Sequence, residues 1–261
     1  VDVRSKYRMD FVKFGDDCFT IRADDWLKEF ASEYARWIAK PFNCYLRVDT
    51  IDDKMLGLLR KAGCYSVNLS VDSTNPDIRE RVLQRRMRAD NVVERLRKVR
   101  EYGIHTFVNY MLAVPTSTVQ DDLDTIKQGR EAHISWQNYT TAVPMKGTPL
   151  FDYCVQHELL NPLTYVGDMS GCDQPTILSC FSPKEKRIRF NVFLLGDWIA
   201  KLPRPIGWLA TKLIKVLPPN RLVRWFNARR YRYVMEHDIF VVKDNLRVPR
   251  FWKRSSDAKA A

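Results

Sequence analysis

The chain has 261 residues, 45% of them apolar and 28% charged, a composition that excludes a disordered or fibrous protein and suffices for a substantial buried core. No apolar run reaches about 18 residues, which argues against a membrane-spanning helix. The net charge of +12 belongs to one end only: residues 1–180 hold 24 Lys and Arg against 25 Asp and Glu, whereas residues 181–261 hold 19 against 6.

Residues 10–14 (DFVKF) read as a short strand that ends at Gly15, Asp16 and Asp17. Asp24 or Asp25 then caps a helix in which Trp26, Leu27, Phe30, Tyr34, Trp37 and Ile38 keep helical spacing until Pro41 stops it. A second strand over Asn43 to Val48 leads to Asp49, and a helix opened by Asp52 or Asp53 buries Met55, Leu58 and Leu59 before Gly63. The next strand alternates: Val67, Leu69 and Val71 point one way and Ser66, Asn68, Ser70 and Asp72 the other. A parallel strand packed dry on both faces would be apolar throughout, so one face looks onto something polar, such as a ligand-filled barrel interior. Asn75 and Pro76 suit the N-cap and first position of a helix, and a basic helix follows. Gly103 ends it, Ile104 to Val114 is extended with Asn109 inside it, and Thr118 with Asp121 spells a capping box. Ile134 to Ala142 is a fifth strand, ending in VPMKGTPL.

Five strands separated by helices predict an α/β fold with most of a parallel barrel. Right-handed crossovers would then bring Asp16, Asp17, Arg47, Asp49, Asp72, Ser73, Asn109 and residues 146–148 to one rim. Each has a plainer reading. Asp24, Asp52 and Asn75 are caps, Asp16 and Asp17 alone would be loop carboxylates, and Asp72 with Ser73 before Asn-Pro is ordinary turn chemistry. Their shared rim is what favours a site. The six cysteines form no close pair, which predicts reduced thiols, and the four histidines lack metal-ligand spacing. Beyond Leu160, residues 163–179 have loop composition, Ser182 or Pro183 starts a helix, and short basic amphipathic helices follow.

The ordered blocks FVKFGDDCFT, CYLRVDTID, LLRKAGCYSVNLSVDSTNPDIRERVLQR, GIHTFVNYMLAVPTSTVQDDLDTI and AVPMKGTPLF resemble the later part of a radical SAM partial barrel over residues 8–160. The closest variety is the group with an upstream cobalamin-binding domain. The resemblance implies a partial (βα)6 TIM-like barrel lacking its first strand (residues 1–160, strands 2 to 6), beyond which composition and pattern predict a helical basic extension (161–249) and a disordered tail (250–261). It implies S-adenosylmethionine across the strand ends, a [4Fe-4S] cluster, an electron donor, and, for this group, cobalamin. By the same resemblance Asp16 and Asp17 meet the methionine amino group, Asp72 and Ser73 contact polar groups of the cofactor, Asn109 binds ribose hydroxyls, and Pro115 lies in the turn that supports adenine. No catalytic residue is assigned.

The chain departs from the family pattern in several places. The CxxxCxxC cluster loop is absent, and because the first strand here corresponds to the family's second, that loop is expected before Val1, so the chain reads as a fragment that would be inactive alone. Asp72, Ser73 and Thr74 stand where Glu and Ser-Gly are usual, and Ala113, Thr116 and Ser117 where glycines and a Glu are usual. The expected function is reductive cleavage of S-adenosylmethionine for methyl transfer or rearrangement at an unactivated carbon of a small-molecule or lipid-like substrate. The competing expectation is a non-catalytic barrel scaffold. The tail over residues 184–254 either docks its apolar faces on the barrel, or contacts a membrane surface from the cytoplasmic side, or binds nucleic acid.

Overall fold

The alternation read in the third strand sets the architecture. In the computed structural model, which describes Lys6 and residues 9–87, 91–160, 174–218 and 221–240, five parallel strands pair in chain order. They are β1 (Val12–Lys13), β2 (Phe42–Tyr45), β3 (Cys64–Asp72), β4 (His105–Leu112) and β5 (Trp136–Thr141). Helices α1 (Asp25–Trp37), α2 (Asp53–Ala62), α3 (Pro76–Arg81), α4 (Val92–Glu101) and α5 (Val119–Glu131) occur between them, giving a half-barrel of the partial TIM type. A helix α6 (Pro149–Gln156) follows β5, and α7 (Pro183–Lys201), α8 (Arg204–Leu213) and α9 (Arg221–Val234) complete the described elements with a π-helical turn at Met235–Ile239.

The expected helix starts are in place. The Asp24 carboxylate accepts from the Leu27 N–H at 3.1 Å and Asp52 from the Met55 N–H at 2.7 Å. Thr118 and Asp121 form a reciprocal capping box on α5, and Ser182 and Glu185 form another on α7. Gly63 ends α2 at φ 97°, a left-handed position where glycine carries no Cβ penalty.

Val67, Leu69 and Val71 are buried against the helical layer, which supplies Met55, Leu56 and Leu59 from α2 and Leu96 and Val99 from α4. Several expectations need adjustment. Strand β2 stops at Tyr45, and Val48–Thr50 is a 3₁₀ turn rather than strand. The basic stretch after Pro76 is two helices. Trp26 and Trp37 stay about half exposed, because α1 buries Leu27, Ala31 and Tyr34 and both tryptophans lie roughly 80–100° round the helix from Leu27. Trp26 instead stacks on Phe30, and Trp37 donates to Glu33.

Helix α7 lies against α5 and β5, and its Val192, Ile199 and Ala200 belong to the same core as the strands. A domain boundary after residue 160 stays a proposal, with α7 packed into the core of the strands. The π-helical turn closes the strand-start mouth of the half-barrel. There the Ser66 hydroxyl donates to the Ile239 carbonyl at 2.6 Å, Tyr65 donates to the His237 carbonyl, and Met235 and Ile239 pack with Trp136. Much of the loop expected from Leu163, and the tail expected from Arg250, lie outside the described residues.

Candidate functional site

With one mouth closed, the concave face opens at the strand ends. Its side chains are the second set of every alternating strand: Asn43 on β2, Ser66, Asn68, Ser70 and Asp72 on β3, Phe107, Asn109 and Met111 on β4, and Asn138 and Thr140 on β5. The register places Ser70 beside Asn109 and Asn109 beside Asn138. The Asn109 amide donates to the Leu69 carbonyl at 3.2 Å and to Ser70 Oγ at 3.4 Å, and its Oδ1 accepts from Asn138 at 2.9 Å. Deeper in the barrel, Asn43 donates to Ser66 Oγ at 2.8 Å and to Asn68 Oδ1 at 3.4 Å. The buried Asn43 Oδ1 has no partner in the protein. An unpaired buried amide oxygen costs about 1–3 kcal/mol, so the interior favours a hydrogen-bond donor there. The amides and hydroxyls of this face run from the closed mouth to the rim and offer donors and acceptors to a polar ligand.

At the rim, Asp72 sits at φ 63° and its carboxylate is ion-paired with Arg85, whose guanidinium also donates to the Ser70 carbonyl. Burial raises the Asp72 pKa, with Arg85 pulling against it. Arg47 grips Asp49 with two donors, at 3.1 and 2.7 Å. Arg47, Asp72, Gln84, Arg85 and Met111 line a cavity of about 440 Å³. A larger hollow of about 870 Å³, walled by Arg79, Val92, Arg97 and Gln128, lies among the outer helices and touches the turn after β3 at Thr74 and Pro76.

Of the residues singled out in the sequence, Asp72, Asn109 and Pro115 stand at or near this rim. Asp16 and Asp17 follow β1 as exposed loop carboxylates. Ser73 is buried and engaged in the turn, its hydroxyl accepting from the Asn75 N–H and its carbonyl from Arg79. Asn138 and Asn43 were missed, although the alternation of β5 carried the signal for Asn138. Arg85 was missed because loop 82–87 has no periodicity to place it.

The turn after β4 is the most constrained segment of the rim. Ala113 and Thr116 both adopt positive φ, 57° and 70°, at two of the positions where glycine was the expected family residue. Left-handed backbone at a non-glycine residue costs about 1–2 kcal/mol. Replacing the exposed Thr116 with glycine is therefore expected to stabilise the chain by about 0.5–1 kcal/mol, after subtracting the extra freedom of glycine in the unfolded state. A urea midpoint that falls in Thr116→Gly would contradict this.

Two buried groups hold that turn. Asp122 Oδ2 accepts from the Ala113 N–H at 3.1 Å and from Arg189 Nη1 at 2.5 Å, and Arg189 also donates to Ser117 Oγ at 2.9 Å and the Ser117 carbonyl at 2.7 Å. The Arg189 guanidinium lies 4.2 Å from the Phe181 ring centre. Burial pushes the Asp122 carboxyl up to about 6, against the pull of Arg189. A folded-state value above the unfolded value of about 3.9 means that this group's contribution is complete below about pH 4 and is lost as pH rises through about 6. In urea titrations at about pH 4 and about pH 7, Asp122→Asn should therefore remove part of the stability loss that the parent chain shows over that interval. Identical pH profiles for the two would contradict it.

Among the described thiols, Cys18 lies beside Arg47 and Asp49, and Cys44 neighbours Cys64. Among the described residues no three His, Cys, Asp or Glu side chains come together to hold a metal. Cys44 and Cys64 are fully buried in the main core, under the helical layer.

Comparison with known proteins agrees with this architecture. Residues 6–128 match the Radical SAM superfamily. The chain is 25% identical over 160 residues to an uncharacterized methyltransferase of Pyrococcus horikoshii, an alignment covering 59% of this chain and 34% of that protein. The radical S-adenosylmethionine methyltransferase TsrM of Kitasatospora setae, solved with tryptophan substrate and a SAM analogue, superposes with a TM-score of 0.51 at 16% identity, over 76% of this chain and 42% of TsrM. The chain thus spans about a third of the length of the curated relative it matches. Residues 6–128 of this chain thus match the Radical SAM superfamily, and they contain the first four strands of the parallel half-barrel.

Proposed function

We propose that this chain forms the S-adenosylmethionine-binding half of a radical SAM enzyme, acting in methyl transfer or rearrangement at an unactivated carbon. One observation carries the reading: the half-buried row Ser70, Asn109 and Asn138, which crosses three strands just below the rim. Amide and hydroxyl groups at fixed spacing suit ribose hydroxyls, and Asn109 with Asn138 is assigned to them. Asp16 and Asp17 are assigned to the methionine amino group, Asp72 and Ser73 to the cofactor's other polar groups, and the turn containing Pro115 to the adenine. Asp72 would act together with its ion-pair partner Arg85.

When bound and reductively cleaved, S-adenosylmethionine supplies a 5′-deoxyadenosyl radical. The reduction needs a [4Fe-4S] cluster and an electron donor, and the described side chains do not fit a cluster, so no ligand to it is assigned in this chain. Cobalamin as methyl carrier, a small-molecule or lipid-like substrate and a cytoplasmic setting belong to the same proposal. The residues of this chain would bind, orient and shield the cofactor.

Isothermal titration of S-adenosylmethionine into the chain tests this. Saturable binding is expected, weakened at least about tenfold by Asn109→Ala, since two hydrogen bonds worth about 1 kcal/mol each are lost. Absence of binding, or binding indifferent to both Asn109→Ala and Asn138→Ala, would overturn the assignment.

A further inference from the structure

The helices at the basic end divide into two kinds. Helix α7 turns its apolar side into the barrel, burying Ile188, Phe190, Val192, Leu194 and Ile199. Helices α8 and α9 are held on α7 by other means. Asn191 donates to the carbonyls of Ile214 and Leu217, Trp198 meets Phe226 edge to face, and Arg230 pairs with Asp197. Their own apolar stripes are left facing solvent. On α8, Ile206, Leu209 and Leu213 share one face at i, i+3 and i+7, each about half exposed, and Trp208 is 61% exposed. On α9, Leu222, Trp225 and Tyr233 share one face at i, i+3 and i+11, with Leu222 78% and Trp225 61% exposed. Docking on the barrel thus accounts for α7 and for the end of α9, where Tyr231 and Val234 pack on Trp136, and leaves these two stripes uncovered.

The charge around these stripes has a single sign. From Trp198 to Met235 the sequence has nine Lys and Arg and no Asp or Glu. Arg204, Lys212, Arg221, Arg224, Arg229 and Arg232 are exposed. Two of the cations sit over the exposed rings, Lys212 at 3.7 Å from the Trp208 centroid and Arg229 at 5.5 Å from that of Trp225. Cations beside indole rings, above a stripe of aliphatic residues, match the layering of a bilayer interface: phosphates outermost, then the carbonyl level, then acyl chains.

We propose that α8 and α9 form a docking surface for an anionic lipid membrane. Nucleic acid would use the cations and the rings, but it offers nothing to Ile206, Leu209, Leu213 and Leu222. A second copy of the chain would bring two strongly basic faces together, which is unfavourable. A lipid surface satisfies both the charge and the aliphatic stripes, and no described helix is long and apolar enough to cross a membrane, so the attachment is peripheral.

The test is co-sedimentation of the whole chain with phosphatidylcholine vesicles, with and without about one third phosphatidylglycerol. Binding is expected only to the anionic vesicles and should weaken as salt rises. Replacing Leu222 and Trp225 together by serine should reduce it at least about tenfold, with circular dichroism unchanged because both residues are exposed. Lys212→Glu with Lys215→Glu should abolish the preference for anionic lipid, which gives a second readout that does not touch the apolar stripe. Three results would overturn the proposal: no binding to anionic vesicles at low salt, tighter binding to single-stranded RNA than to vesicles, or a salt-stable dimer that the serine variant dissociates. The outcome is independent of S-adenosylmethionine binding, so this surface and the assignment of the rim stand or fall separately.

Discussion

Replacing Arg189 with methionine is expected to destabilise the chain by about 3–5 kcal/mol at pH 7, among the largest losses any single substitution here should cause. The side chain is 1% exposed and its donors reach Ser117 Oγ, the Ser117 carbonyl and Asp122. Methionine fills much of the volume but satisfies none of these acceptors, and it strands a carboxylate that is 5% exposed. The stranded carboxyl can escape by taking a proton, so the loss should be smaller near pH 5 than near pH 8. The pairing of Arg189→Met with Asp122→Leu should recover most of it, since a buried ion pair replaced whole by apolar side chains is often close to neutral. Chemical denaturation of the two variants at both pH values checks all of this. A loss below about 1 kcal/mol for Arg189→Met would mean that α7 does not anchor the rim turn.

Asp197→Ala is the second large effect, with an expected cost of about 3 kcal/mol. This carboxylate, 5% exposed, ties three elements together: it accepts from the Gln137 N–H of β5 at 2.9 Å, from Lys201 of α7 and from Arg230 of α9 at 2.7 Å. Alanine leaves a β5 N–H without its acceptor and two cations without their counter-charge beside the Trp136 ring. Lys201 is about a third exposed and can turn to water, which keeps the expected loss toward the lower end of the range for buried pairs. Asp197→Asn retains an acceptor for Gln137 and should lose roughly half as much. The readout is the urea midpoint of each variant, and hydrogen exchange of β5 distinguishes local from global opening. If alanine and asparagine cost the same, the charge rather than the backbone bond carries the attachment.

The two substitutions share a lesson about what the sequence could convey. Alternation in β3 showed a polar inner face, and caps at Asp24, Asp52, Asn75 and Thr118 showed where helices begin, because those signals lie within a few residues of one another. Their repetition is enough to place Asp72 and Asn109 on one rim. Arg189 and Asp122, by contrast, are 67 residues apart, and nothing local marks either as buried. A charged residue in a basic amphipathic segment reads as solvated, and only the docking of α7 removes it from water. Positive φ at Ala113 and Thr116 was equally hidden, since neither residue type favours that conformation and the strain is held by partners far along the chain. The tryptophans of α1 err in the other direction. Helical spacing marks a face but not its width, and Trp26 and Trp37 fall on its margin.

The same reasoning explains why the family resemblance was visible while the ligand contacts were only partly so. Ordered blocks of strand, turn and cap carry the resemblance over residues 8–160, and residues 6–128 match the family. The contacts depend on which side chains lie in one row across strands, and that row is fixed by register. Asn138 enters the candidate site because Asn109 pairs with it in β5, a fact of register that no local motif declares. Asp16 and Asp17, assigned from the resemblance, remain on an exposed loop beyond β1.

Photoaffinity labelling with an 8-azido-adenine analogue of S-adenosylmethionine, followed by peptide mapping, tests most directly whether the strand-end rim is the cofactor site. Saturable labelling of β4 and the following turn, residues 105–118, that is suppressed by excess S-adenosylmethionine and lost in Asn109→Ala is the predicted result. Labelling confined to the basic helices, or labelling that excess S-adenosylmethionine leaves unchanged, would contradict it.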